Sequence, residues 1–216
     1  MRTISQVVEE VIQRSPFLAE TIAEGIANNA QIARRIKPDV EKRLLEKVSE
    51  SAIAMALHRM GKNLRTPMFG LRFLKQLNDI TVRSSLVEFV CPNAEELSEL
   101  LETISKSARR RKDTFVNFSR GMHESLLIVD EESAKEVAAA LGKHKNILRT
   151  DNLSAITLRL PESSLKVPGL YYPILKALAS EGISFVEVMS VRTELSIIFE
   201  DKDVDRAFSV LKRITS

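Results

Sequence analysis

One stretch of this chain occurs twice, and nothing else in the sequence restricts the fold as strongly. Thr114 to Leu141 (TFVNFSRGMHESLLIVDEESAKEVAAAL) overlies Ser184 to Leu211 (SFVEVMSVRTELSIIFEDKDVDRAFSVL) without a gap, at an offset of 184 − 114 = 70 residues. Identity is confined to Phe115/Phe185, Val116/Val186, Glu124/Glu194, Ile128/Ile198 and Leu141/Leu211. The apolar pattern, the turn position and the acidic step before the last helix nevertheless coincide. Self-similarity at a fixed spacing implies tandem modules, each one supersecondary unit that needs its neighbour to bury a face.

From Ser85 the hydrophobic period is two: Val87, Phe89 and Cys91 alternate with Glu88 and Val90, and later Ile156, Leu158 and Leu160 alternate with Thr157 and Arg159. Alternation of this kind predicts a strand at the head of each copy. A helix follows in each, Glu95 to Ala108 with Leu97, Leu100, Leu101 and Ile104 inward, and Leu170 to Ser180 with Ile174, Leu175 and Leu178 inward. Each copy therefore reads strand, helix, strand, strand, helix. Helices on one face of a mainly antiparallel sheet make an α+β, ferredoxin-like βαββα layer, with an edge left for side-by-side pairing of sheets. The expected divisions are a helical domain at 1–60, a connecting segment at 61–83, a first repeat at 84–152 and a second at 153–216.

Ahead of the repeats the period is helical. Val7, Val8, Val11 and Ile12 form one stripe, and Ser15-Pro16 supplies a cap followed by proline at the first helical position of a helix running to about Gly25. Asn28 is placed to cap a third helix, with Gln31 reaching back, Ile32, Ala33 and Ile36 inward, and Gln31, Arg34 and Arg35 outward. Lys37-Pro38 is expected to end it. Pro38-Asp39 then opens a helix to Gly61, about 34 Å long, with Val40, Leu44, Val48, Ala52, Met55 and Ala56 on its inner face. Residues 61–83 read as a loop and one amphipathic helix with a Phe69, Phe73, Leu77, Ile80 stripe that bridges the two parts.

Three short helices with a basic third one allow a helix-turn-helix or winged-helix-like reading. With Gly25 in the turn, however, Glu20, Glu24 and Gln31 occupy places that the repressor pattern fills with apolar groups. Two readings of the outer face stay open: packing against a partner protein, or contact with DNA phosphates through Asn29, Gln31, Arg34, Arg35 and Lys37, with Lys62 and Arg65 nearby. Residues 1–83 hold 14 Lys/Arg against 9 Asp/Glu, and 84–216 hold 18 against 20. The resulting +5 and −2 permit a polyanion partner without requiring one.

Composition narrows the class further. Met1 to Gln13 carries acids where a signal peptide needs an apolar core, and the apolar run Ala52 to Leu57 is far below the ~20 residues of a membrane span. A cytoplasmic chain without membrane contact is expected. The single cysteine, Cys91, excludes an internal disulfide and reads as a small apolar strand residue. His58, His123 and His144 are isolated, and no metal-ligand spacing or Gly-rich phosphate loop is present. Glu131/Glu132 and Asp201/Asp203 stand at helix starts, where capping accounts for them better than acid–base chemistry. The run Arg109-Arg110-Arg111-Lys112 closes a helix, and helix-end charge accounts for it about as well as nucleic acid does. Neither an enzyme activity nor a cofactor is expected.

Residues 155–211 (AITLRLPESSLKVPGLYYPILKALASEGISFVEVMSVRTELSIIFEDKDVDRAFSVL) resemble an ACT domain of the aspartokinase regulatory type. The matching elements are the first strand, the loop ending Pro168-Gly169, the helix ending Glu181-Gly182-Ile183, the strand SFVEVMS, the turn Thr193-Glu194 and the strand LSIIFE. Residues 85–151 resemble a degenerate ACT repeat, with Cys91-Pro92-Asn93 and no Pro-Gly. No segment resembles the kinase portion, so the resemblance implies a non-enzymatic regulator that senses a free amino acid. It also implies a homodimer or higher oligomer built by sheet pairing. It places the ligand against Ser163, Ser164, Leu165, Lys166, Val167, Pro168, Gly169 and Leu170, with Ser184, Phe185 and Val186 on the neighbouring strand. Backbone N–H groups beside Pro168-Gly169 suit a carboxylate, and glycine permits close approach. Pro161 replaces a frequent glycine of that family, and Ser184 a frequent asparagine. An amino-acid-responsive DNA-binding regulator, or a regulatory or scaffold subunit of a biosynthetic enzyme, are the alternatives.

Overall fold

The computed structural model describes residues 2–63, 71–77, 79–93, 102, 114–142 and 146–215. The chain divides into two compact units, Met1–Phe69 and Gly70–Ser216.

The described part of the first unit is helical: α1 (Ile4–Gln13), α2 (Pro16–Ala23), α3 (Asn29–Leu44) and α4 (Glu50–Asn63). A capping box starts α1, with the Gln6 N–H donating to Thr3 Oγ1 and the Thr3 N–H to Gln6 Oε1. Asn28 caps α3 as its sequence position predicts, Oδ1 accepting from the N–H groups of Ala30 at 3.1 Å and Gln31 at 3.2 Å. Val7, Val8, Ile12, Ala33, Ile36, Val40, Ile53 and Leu57 close the core between the helices. Each large aliphatic side chain fully buried there contributes about 1.5–3 kcal/mol.

Two expectations for this unit are corrected. Lys37-Pro38 does not end a helix, because α3 runs through Pro38 to Leu44. Proline removes one helical donor, and here it lies on an exposed face where water can serve the carbonyl it leaves. The break comes instead at Leu45, held in the left-handed region at φ 59° while its N–H donates to the Glu41 carbonyl at 2.8 Å. Glu41 Oε1 accepts from the Val48 N–H, and Ser49 Oγ from the Ala52 N–H, so α4 starts afresh. The second correction follows: with α4 phased independently, Met55 is 63% exposed and Ile53 and Leu57 take the inner face.

The second unit opens with a single turn, α5 (Leu71–Leu74), and continues as β1 (Ile80–Pro92), β2 (Val116–Arg120), β3 (Glu124–Asp130), α6 (Glu131–Leu141) and β4 (Leu148–Arg159). The chain then forms a 3-10 turn (Glu162–Ser164), α7 (Tyr172–Ser180), β5 (Glu187–Val191), β6 (Glu194–Glu200) and α8 (Asp201–Thr215). The amphipathic helix expected before residue 83 ends at Leu74, and its Phe69 lies outside the described residues. Phe73 and Leu74 enter the core of this unit, while Ile80 belongs to a strand. The helix expected at Glu95 to Ala108 and the run Arg109 to Lys112 lie outside the described residues.

All pairings in the six-stranded sheet are antiparallel, in the order β2-β3-β1-β4-β6-β5. Sheet pairing between the copies therefore happens within the chain, first strand against first strand, from Ile80↔Leu158 to Val90↔Leu148. The two strands are copies in detail. Residues 81–92 and 148–159 share one burial pattern, and Ser85 and Asn152 both adopt φ 59°. They lie 152 − 85 = 67 residues apart and sit where the ladder shifts register, so each strand carries a bulge at the pseudo-twofold centre.

Helices cover one face of the sheet. Val87, Phe89, Cys91, Leu127 and Val129 pack with α6, and Ile156, Leu158, Leu195, Ile197 and Phe199 with α7 and α8. The other face is also apolar. Leu86, Ile128, Leu153, Ala155 and Ile198 are wholly buried there, with Phe115, Leu126, Val186 and Met189 around them. Burial on both faces is why Leu86 to Phe89 is inaccessible as a run rather than in alternation.

Candidate functional site

Between β4 and α7 the chain makes a compact loop whose bonds are mostly its own. Leu160 enters by donating its N–H to the Thr193 carbonyl at 2.7 Å, tying the loop to the β5–β6 turn. Ser164, fully buried, donates both its N–H and its hydroxyl to the Pro161 carbonyl. The Leu165 N–H donates to Glu162 and the Val167 N–H to Ser164. Gly169 then turns the chain at φ 71°, a conformation that other residues adopt only at a cost, and its carbonyl accepts from the Tyr172 N–H at 3.0 Å. Among the described residues the N–H groups of Gly169, Leu170 and Tyr171 have no backbone partner. The helix begins at Tyr172, two residues later than the pattern predicts.

A cavity of about 290 Å³ lies against this loop, lined by Leu165, Val167, Gly169, Leu170, Tyr171 and Tyr172. Leu170 is buried, Val167 and Tyr171 half-buried, and Leu165 and Tyr172 more open. The Tyr171 hydroxyl is fixed by Ser190 Oγ on β5 at 2.9 Å. Lys176 stands over the Tyr172 ring at 5.8 Å, one helical turn on. Glu162, the loop's acid, receives a hydrogen bond from Arg192 Nη2 at 3.1 Å.

Of the residues singled out in the sequence, Leu165, Val167, Gly169 and Leu170 come together around the cavity. Ser163, Lys166 and Pro168 are exposed on the loop, and Ser164 is buried inside it. Ser184, Phe185 and Val186 do not line the cavity. Val186 donates its N–H to the Ile198 carbonyl at 2.7 Å and packs on the sheet face opposite the helices, whereas Val167, Leu170 and Tyr171 belong to the helix-side core. Tyr171 and Tyr172 escaped the sequence reading, although their rarity was a signal: they are the chain's two tyrosines.

Elsewhere, Gln31, Arg34 and Arg35 project from α3 into solvent, Asn29 and Lys37 are half-exposed, and Arg34 and Lys37 meet Glu50 and Glu41 at 3.4 and 4.0 Å. Lys62 and Arg65 lie outside the residues whose side chains are described. Glu131/Glu132 and Asp201/Asp203 stand in first helical turns, with Asp130 Oδ1 capping α6 through the Ser133 N–H and Asp201 receiving the Ser154 hydroxyl. No cluster of three metal-ligating side chains exists among the described residues. Burial pushes the Cys91 thiol up, away from the thiolate a reactive cysteine needs. No described helix is long and apolar enough to cross a membrane.

No protein-family model and no curated protein matches the chain. Solved structures do. The aspartate kinase of Clostridium acetobutylicum overlies 65% of this chain with a TM-score of 0.54 at 10% identity, over 35% of its own length. The regulatory subunit of aspartate kinase from Thermus thermophilus overlies 65% with a TM-score of 0.51 at 11% identity, over 98% of its length. The aspartate kinase of Synechocystis overlies 64% at 0.51 and 15% identity, over 27% of its length. This chain thus spans about a third of the Clostridium enzyme. The fold these likenesses define is the ACT regulatory domain of the aspartokinase type, in tandem.

Proposed function

We propose that the chain is a non-enzymatic regulator whose tandem ACT repeats sense a free amino acid and pass the signal to the helical unit. The cavity at Leu165 to Tyr172 carries this reading. It occupies the loop between first strand and first helix, in the copy that has Pro168-Gly169. Ligand preference for one arrangement of the subunits would shift their population by its difference in affinity for the two states. Homodimers or larger assemblies formed by sheet pairing belong to the same proposal. So do the divisions at 1–60, 61–83, 84–152 and 153–216, and a first copy that is structural. A thermal-shift screen of the full chain against the twenty amino acids tests it. Ligand at one hundred times its dissociation constant adds ~2.7 kcal/mol, a rise of several degrees for a domain of this size. Identical melting curves with all twenty would overturn the sensing role.

Two observations favour further readings of the output. The Thermus regulatory subunit, a separate chain, is matched over nearly its whole length, which favours a subunit that acts on an enzyme carried by another polypeptide. The exposed Gln31, Arg34 and Arg35 on a firmly capped helix favour nucleic acid. A gel shift weakening steeply with salt would select the second, and co-purification of an enzyme the first.

A further inference from the structure

The cavity wall carries no formal charge. Leu165, Val167 and Leu170 supply aliphatic surface, Tyr171 and Tyr172 supply rings, and Gly169 supplies bare backbone. A Cβ built on Gly169 would meet nothing within 4 Å, so open space reaches the main chain. Taking the sensing role as given, we propose that the cavity selects a neutral aliphatic amino acid, namely valine, leucine or isoleucine, and rejects lysine and threonine.

Charge and hydrogen bonding both contribute. A lysine side chain would bring its ammonium to a wall without a carboxylate. Glu162 is held by Arg192, and the cations close by, Lys166 on the loop and Lys176 over the Tyr172 ring, oppose a second positive charge. Desolvating an unpaired ammonium costs far more than burying methylenes returns. Threonine's hydroxyl gains less from an aliphatic wall than a methyl group does, and an aliphatic side chain asks for no polar partner there.

Calorimetric titration of the full chain with leucine, isoleucine, valine, threonine and lysine decides the matter, repeated on Val167→Ala and Val167→Asp. The three aliphatic amino acids should bind at least about tenfold more tightly than the other two. Val167→Ala should weaken leucine about tenfold through lost methyl contacts, and Val167→Asp should abolish it, while both unliganded variants still unfold in one cooperative transition. Lysine or threonine binding as tightly as leucine would overturn the ligand class and leave the sensing role intact. Leucine binding unchanged in a folded Val167→Asp chain would overturn the location. Silence from all five, together with a flat thermal screen of the twenty, would overturn the selectivity and the sensing role at once.

Discussion

Glu88 is a carboxylate placed where the sheet offers it little. It is 4% exposed on the apolar face of β1, Oε2 accepts the Thr150 hydroxyl at 3.3 Å, and Oε1 has no hydrogen-bond partner among the described residues. Burial, and the nearby charge of Glu187 on β5, push its pKa above the ordinary 4.5 against the smaller opposing effect of that hydrogen bond. A raised carboxyl favours the folded state most while protonated, so its contribution is complete below pH 4.5 and lost as pH rises through the folded value. Urea unfolding across pH 4 to 8 should therefore show Glu88→Gln gaining on the parent as pH rises, and equal midpoints throughout would contradict this. Ser85 offers a second test at the same scale. Its φ of 59° strains a side chain with a Cβ, so Ser85→Gly should be neutral or stabilising by up to about 1 kcal/mol. Ser85→Val should cost about 1–2 kcal/mol by the same measurement.

Among the elements, α3 shows which local rules survived contact with the fold. Its cap was legible, because Asn at that spacing has one good use, and Asn28→Ala should lower stability by about 1 kcal/mol in thermal unfolding followed by circular dichroism. Its end was not legible, since Pro38 signals a stop only where the lost hydrogen bond cannot be made good. The strands divide in the same way. Alternation marked β4 from Ile156 onward, but Leu86 to Phe89 is buried on both faces, and one strand's pattern does not say what lies over its second face. The 70-residue repeat located β3 against β6 and α6 against α8. It missed the 67-residue spacing of the first strands, because the loop-bearing copy holds three more residues between first and second strand. At the site, Pro168-Gly169 pointed to the loop, whereas the placement of Val186 on the far sheet face depends on a bend before β5 that no motif announces.

Across the whole molecule, the β1–β4 ladder is the seam on which the second unit depends. Leu153, opposite Leu86 and fully buried, sits at its centre. Leu153→Asp should cost about 3–5 kcal/mol and abolish cooperative unfolding of the sheet, read by urea titration. A chain of residues 70–216 alone should keep its far-ultraviolet spectrum, whereas residues 146–216 alone would expose β4 as a long bare edge and aggregate. Because both first strands belong to one polypeptide, the seam forms at an effective concentration set by the tether and not by the amount of protein. Dilution leaves it closed. Paired sheets made from two separate chains come apart as protein becomes scarce, and their sensing then reports abundance as well as ligand. Here the pair is guaranteed, and the two halves are free to differ: one can hold a Pro-Gly loop with its tyrosines while the other holds Glu88 and has no Pro-Gly in its sequence.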